Sequence, residues 1–329
     1  MVKRKQPAGS SSKPTKVPRK SKPRPFDASR FVDARASELF HSTFHNRKVI
    51  VEREVLLAEL PVATVSSYFS SRHWDPFLQD LTHLVPPTLL VREFYSNFFD
   101  VDEASLSFSV FIRGQRLRVS PDVIASLFGV VRVPEPVYPY VESSREPPSF
   151  DAMSLLLFGR PYPYAGGTLY TSDFSAENHV VSRIALTNLY PVSHLSSISL
   201  TRVRFLYALL IGDTIDICSV ICSHMIEVFQ SSSSKVGLSY ACLIQRLYRA
   251  HSIAFPPDGP FPDTLSAIGA TTLSLSRAHL KRRQASASAS VPPMILRLLS
   301  LLLFQPLQPV LLFLLFRLLW ILPLPLRFL

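Results

Sequence analysis

The chain has 329 residues, 47% of them hydrophobic, and its 35 Lys and Arg exceed its 24 Asp and Glu to give a net charge of +11. That apolar content is enough to build a core and excludes a wholly disordered chain. The first 25 residues carry nine Lys or Arg and no acid, which leaves +2 for the rest and excludes a folded basic face as the main source of the charge.

Residues 1–25 lack hydrophobic anchors and are full of Lys, Arg, Pro and Ser, so they cannot offset the entropy of ordering and read as a disordered basic arm. Within the arm, Lys3-Arg4-Lys5 and Arg19-Lys20-Ser21-Lys22 have the form of nuclear-import clusters or of a phosphate-attracting segment, with a solubilising tail as the bland alternative.

Phe31, Leu39, Phe40 and Phe44 predict a helix over 27–46. Residues 49–60 form a short extended or helical segment ended by Pro61, and 62–69 a further short helix. Trp74 and Phe77 are expected as anchors at a loop. Pro86 and Pro87 start a helix over 88–98, with Leu89, Leu90, Phe94 and Phe98 facing inward and Arg92, Glu93 and Asn97 outward. Alternation over 106–112 and 115–119 around Arg113-Gly114 predicts a β-hairpin. Ser120-Pro121-Asp122 then supplies a cap, a first-turn proline and a first-turn acid for a helix ended by Gly129.

Prolines make 130–163 a long irregular excursion carrying a short helix over 150–158. A helix over 176–189 is stopped by Pro191. The longest helical rhythm follows: Leu200, Val203, Leu206, Tyr207, Leu210 and Ile211, then Ile215, Cys218, Ile221, Cys222, Met225, Ile226 and Phe229. Gly212-Asp213-Thr214 breaks it, so an antiparallel helix pair is expected, with Gly212 closing the first helix and Asp213 or Thr214 capping the second. This pair is the expected centre of the core. A helix over 238–251 ends the folded part near Phe255, and a weak helix over 265–280 leads to an Ala/Ser spacer at 285–290 that reads as linker.

Residues 294–329 are almost wholly Leu, Phe, Pro and Ile, with Arg297, Arg317 and Arg327 as the charges. One reading is a C-terminal membrane anchor, since about twenty apolar residues span a bilayer. The other is a shifted reading frame, because Ser and Pro codons read out of phase yield Leu, Phe, Pro and Arg. Gln305-Pro306 and Gln308-Pro309 interrupt the first apolar window, and Arg317 lies inside the second.

The chain offers little chemistry. Asp100, Asp102, Asp122, Asp213, Asp216 and Glu227 are available for a two-metal nuclease centre, but Asp122 and Asp213 are better explained as helix-start residues. Cys218 and Cys222 share a helical face but lack the C-x-x-C spacing of a zinc site, with His224 pointing elsewhere, and read as buried core thiols, while His41 and His45 lack the glutamate of a zincin helix and read as a solvated or partly buried pair. No catalytic residue, metal or cofactor is expected. Too few cysteines for a disulfide scaffold and no secretory signal imply a reducing compartment. Arg92, Arg113, Arg116 and Arg118, around the hairpin, are the best folded-domain candidates for nucleic-acid contacts. Ordinary solvated or ion-paired side chains are the competing explanation.

Several stretches together resemble the plant domain family named putative plant transposon protein. They are Val51-Glu52-Arg53, Trp74-Asp75-Pro76-Phe77, the run from Leu90 to Asn97, Ile112-Arg113-Gly114-Gln115, Ser120-Pro121-Asp122-Val123-Ile124, Leu127-Phe128-Gly129, the run from Asn188 to His194, and that from Arg204 to Gly212. The likeness runs in order from about Phe44 to Phe255. It departs in 176–189, where the family carries a tryptophan and this chain has none. The resemblance implies a mobile-element origin and assigns no catalytic residues.

The expected protein is therefore mainly α, a helical domain with one small β-hairpin, a disordered basic N-terminal arm and a hydrophobic C-terminal tail. The divisions fall at 1–25, 26–255, 256–293 and 294–329. The expected function is non-enzymatic interaction with nucleic acid or protein in the nucleus. The alternatives are a degenerate transposase or nuclease, and a membrane protein anchored by its tail.

Overall fold

The computed structural model describes residues 26–140, 147–162, 169–254 and 259–289. The expectations for the basic arm and the hydrophobic tail lie outside the described residues. Among those described, no helix is long and apolar enough to cross a membrane.

The helices are α1 (Ala34–Leu39), α2 (Ser67–Ser70), α3 (Thr88–Ser96), α4 (Pro121–Phe128), α5 (Phe150–Phe158), α6 (Ala176–Ile184), α7 (Leu200–Ile211), α8 (Ile217–Gln230), α9 (Ala241–Ala250) and α10 (Ala270–Ala289). The strands β1 (Phe98–Asp102), β2 (Ser107–Ile112) and β3 (Gln115–Val119) form an antiparallel meander, and β4 (Leu169–Tyr170) pairs with β5 (Ser197–Ile198). The protein is thus mainly helical, with the predicted hairpin present as β2–β3. Arg113 and Gly114 take φ values of 45° and 88°, the left-handed pair that a tight two-residue hairpin turn requires. The hairpin expectation was one strand short: β1 joins β2 where the helix over 88–98 was expected to continue.

Local signals explain several boundaries. The Ser120 hydroxyl accepts from the Val123 N–H at 3.3 Å, Pro121 opens α4, and Gly129 ends it at φ 64°. Gly212 closes α7 at φ 86°, as expected. The cap of α8 is different from the expected one. Asp213 accepts instead from the Tyr140 hydroxyl at 2.7 Å, Thr214 accepts from the Val137 N–H at 3.0 Å, and Asp216 occupies the cap position. Arg202 near the start of α7 meets Glu227 near the end of α8 at 3.9 Å, as antiparallel helices require. Tyr190 stands between them, its ring 5.4 Å from Phe205 and 5.0 Å from His224.

The core centre is shared by α6, the wider turn 185–189, α7 and α8, with Val180, Ile184, Leu186, Leu189, Leu206, Leu209, Ile221 and Met225 all wholly buried. α7 is covered on more than the predicted stripe, since Phe205, Ala208 and Leu209 are buried while Ile211 is exposed. Beyond the expected end at Phe255, Ile268 and Leu273 join the same core. α10 packs on α6 and runs on through residues 285–289, so the stretch expected as linker is helical.

The segment 47–59 threads this body. Val49 bridges in parallel to Leu238 and Val55 to Ile268. Its three glutamates each accept backbone N–H groups at the start of a helical turn: Glu52 from Cys242 and Leu243 of α9, Glu54 from Asp80 and Leu81, and Glu59 from Ala270 of α10. Arg47 does the converse at the end of α8, donating to the carbonyls of Val228 at 3.1 Å and Ser231 at 3.3 Å. Each charge lies at the helix end whose dipole favours it.

Candidate nucleic-acid interface

The meander has two unlike faces because side chains alternate along each strand. Phe98, Phe108, Val110, Ile112, Leu117 and Val119 point into the core, where the Phe98 and Phe108 rings stack at 4.0 Å. Phe99, Ser109 and Phe111 are half-buried on the other side, with Arg116 and Arg118 exposed. The register places Phe99 opposite Ser109, Ser109 opposite Arg118, and Phe111 opposite Arg116. Two rings, on β1 and β2, and two guanidinium groups, both on β3, therefore share one sheet face. Arg116 lies over the Phe99 ring at 5.4 Å, and Arg118 donates to the Asp100 carbonyl at 3.1 Å and to the Ser107 hydroxyl at 2.5 Å.

The four arginines named from sequence divide in two. Arg116 and Arg118 share this face. Arg113 turns away from it and donates to Glu93 at 2.9 and 3.1 Å, and Arg92 is half-buried with its guanidinium 3.3 Å from the Arg47 carbonyl. Lys3, Arg4, Lys5, Arg19, Lys20 and Lys22 lie outside the described residues. The expectation that Glu93 and Asn97 face solvent is overturned, since both are buried. The cause is residues 30–32, which lie across that side of α3: Arg30 donates to Glu93 at 2.6 Å, and Asn97 exchanges hydrogen bonds with the Val32 N–H and the Arg30 carbonyl. Phe99 and Phe111 were missed as surface residues. The signal for Phe111 was present, because it shares parity with Ser109 and opposes that of Phe108 and Val110.

The carboxylates proposed for metal chemistry are spread over separate structural tasks. Asp122 and Asp216 are both bound by Arg132, Asp102 accepts from Ser105, Asp213 from Tyr140, and Glu227 faces Arg202. Among the described residues no three His, Cys, Asp or Glu side chains converge as a metal centre requires. Cys218, Cys222 and Cys242 are buried free thiols; burial pushes the Cys218 thiol up to about 12, outside the range of a reactive thiolate. His179 makes a 2.6 Å contact from Nδ1 to the Ser276 hydroxyl, but burial, aided by Arg183 and His279, holds it down at about 4, so it is a poor general base at neutral pH.

The family described as "Putative plant retrotransposon-related domain" matches residues 70–254, more than half of the chain. The chain belongs to this plant retrotransposon-related family. No curated protein and no solved structure matches it.

Proposed function

We propose that the domain binds single-stranded nucleic acid on the outer face of the β1–β2–β3 sheet, in the nucleus, with residues 1–25 supplying long-range attraction. The observation that supports this reading is that Phe99 and Phe111 share one sheet face with Arg116 and Arg118. Aromatic rings stack on unpaired bases and guanidinium groups meet the phosphates, a combination that tolerates any sequence. Nine cations without an acid in the first 25 residues supply the electrostatic part. The use of Asp122, Asp216, Asp213 and Glu227 in pairings within the fold favours a binding role over catalysis.

The test is a salt titration of binding to a labelled single-stranded oligonucleotide. The full chain binds with an affinity that falls steeply with salt, and Arg116→Glu/Arg118→Glu reduces the slope by about two counterions. Absence of salt-dependent binding by the full chain overturns the reading and leaves a protein partner as the alternative.

A further inference from the structure

A pocket of about 400 Å³ lies between α9, the end of α4 and the segment 80–84, lined by Asp80, His83, Leu84, Leu127, Arg246 and Arg249. Arg246 and Arg249 stand one turn apart on α9, so both side chains reach the same side of the helix. Among the described residues no carboxylate pairs with either of them. Arg246 donates to the Gln79 carbonyl at 3.4 Å, and Arg249 to the His83 carbonyl at 2.8 Å. These neutral acceptors tether the guanidinium groups without cancelling their charge, and they use only part of each group's donors. Arg246 also lies over the Phe128 ring at 5.0 Å, and Phe128 stacks on Phe77 at 4.1 Å, so the guanidinium plane rests on an aromatic platform. Its Nε is buried without a hydrogen-bond partner, so the burial of that atom is not offset by a bond. Asp80 is the acid on the pocket wall, and its carboxylate joins neither arginine. Glu54 is occupied by the N–H groups of Asp80 and Leu81.

We propose that this pocket binds a phosphate group, carried by a nucleic-acid strand or by a small phosphorylated molecule. Two tethered guanidinium groups on one side of a helix present N–H donors to the oxygens of a single phosphate, a pairing for which arginine is better shaped than lysine. Leu84 and Leu127 supply an apolar wall for whatever the phosphate is attached to. Asp80 opposes the bound charge from the same cavity, so affinity is set by two cations against one carboxylate. The pocket shares no residue with the sheet face, and neither site depends on the other.

The experiment uses the full chain at low salt in two arms. Calorimetric titration with inorganic phosphate compares wild type, Arg249→Gln, Asp80→Asn and Lys235→Gln, the last at an exposed lysine outside the pocket. Arg249→Gln is expected to weaken binding about tenfold, Asp80→Asn to tighten it about threefold or more, and Lys235→Gln to leave it within about twofold of wild type. Asparagine tolerates the left-handed backbone of Asp80, at φ 57°, and a gain in affinity does not come from a damaged fold. In the second arm, the anisotropy of a labelled single-stranded oligonucleotide with the same proteins identifies the source of the phosphate. Weakening of oligonucleotide binding by Arg249→Gln places a strand phosphodiester in the pocket, and weakening in the phosphate arm alone places a small phosphorylated molecule there. If neither inorganic phosphate nor the oligonucleotide responds to Arg249→Gln, the proposal is overturned. An Asp80→Asn variant that binds no tighter than wild type in either arm overturns it as well. Failure of wild type to bind the oligonucleotide overturns the sheet-face reading alone, because the phosphate arm still decides the pocket.

Discussion

Glu52 and Cys242 are 190 positions apart, yet the carboxylate of the first accepts the backbone N–H of the second at 2.9 Å and that of Leu243 at 3.0 Å. Tyr240, which precedes α9 at φ 61°, offers no side-chain cap of its own. Glu52 therefore performs from across the core what a local serine or aspartate does at most helix starts. Replacing it by glutamine puts an amide N–H₂ beside donors and removes the charge. Glu52→Gln is expected to lose about 1–3 kcal/mol of stability in urea unfolding. An unchanged unfolding midpoint would mean that the cap contributes nothing.

Arg132 binds two carboxylates, Asp216 at 2.7 Å and Asp122, and Asp216 is buried beside Ser219, which donates to it at 2.7 Å. Arg132→Met leaves Asp216 buried without its cation and is expected to cost about 3 kcal/mol. The double variant Arg132→Met/Asp216→Leu should recover much of that loss. A double variant as unstable as the single one would show that the pair is not the source of the effect.

Two histidines make the fold acid-sensitive. Burial, and then Arg202, holds His224 well below its ordinary range, and His179 is held down at about 4. A base whose folded pKa is lowered takes up its proton more readily in the unfolded chain. Stability is therefore complete above about pH 6.5 and declines as pH falls towards 4, by up to about 1.4 kcal/mol per pH unit for each histidine. Glu52, pushed up by burial, acts in the opposite sense at the acidic end. The diagnostic quantity is thus the difference between wild type and His179→Gln/His224→Gln, whose unfolding midpoint should vary less between pH 7.5 and 5. Parallel profiles for the two proteins refute the assignment.

Phe99 and Phe111 make a prediction of their own about the sheet face. If bases stack on them, Phe99→Ala and Phe111→Ala each weaken oligonucleotide binding by about 1–3 kcal/mol without changing the salt slope. Arg116→Glu/Arg118→Glu changes the slope. Aromatic variants that bind as wild type would leave the face as a purely electrostatic surface.

Much of the secondary structure was legible where chemistry is local. Ser120 through its hydroxyl, and Pro121 and Gly129 through backbone geometry, bound α4, Arg113-Gly114 marks the β2–β3 turn, and Gly212 ends α7. What could not be read was where distant segments meet. Glu93 and Asn97 have the polarity of surface residues and are buried because Arg30, Arg113 and Val32 reach them from 20 to 67 positions away. The same holds for the second helix cap, since Asp213 and Thr214 hold residues 137–140 instead. Of the site, Arg116 and Arg118 were found through the hairpin alternation. Phe99 was missed because β1 follows a helix whose apolar rhythm runs into it.

The threading of residues 47–59 through the body sets the timetable of the protein's birth. Val55 cannot meet Ile268 until the ribosome has made and released the intervening chain. At translation speeds of about 5–20 residues per second, that leaves Val55 waiting roughly ten to forty seconds for Ile268. Val49 waits likewise for Leu238, so this segment can take its place beside Leu78 early but its burial is completed only after residues 238 to 268 have been made.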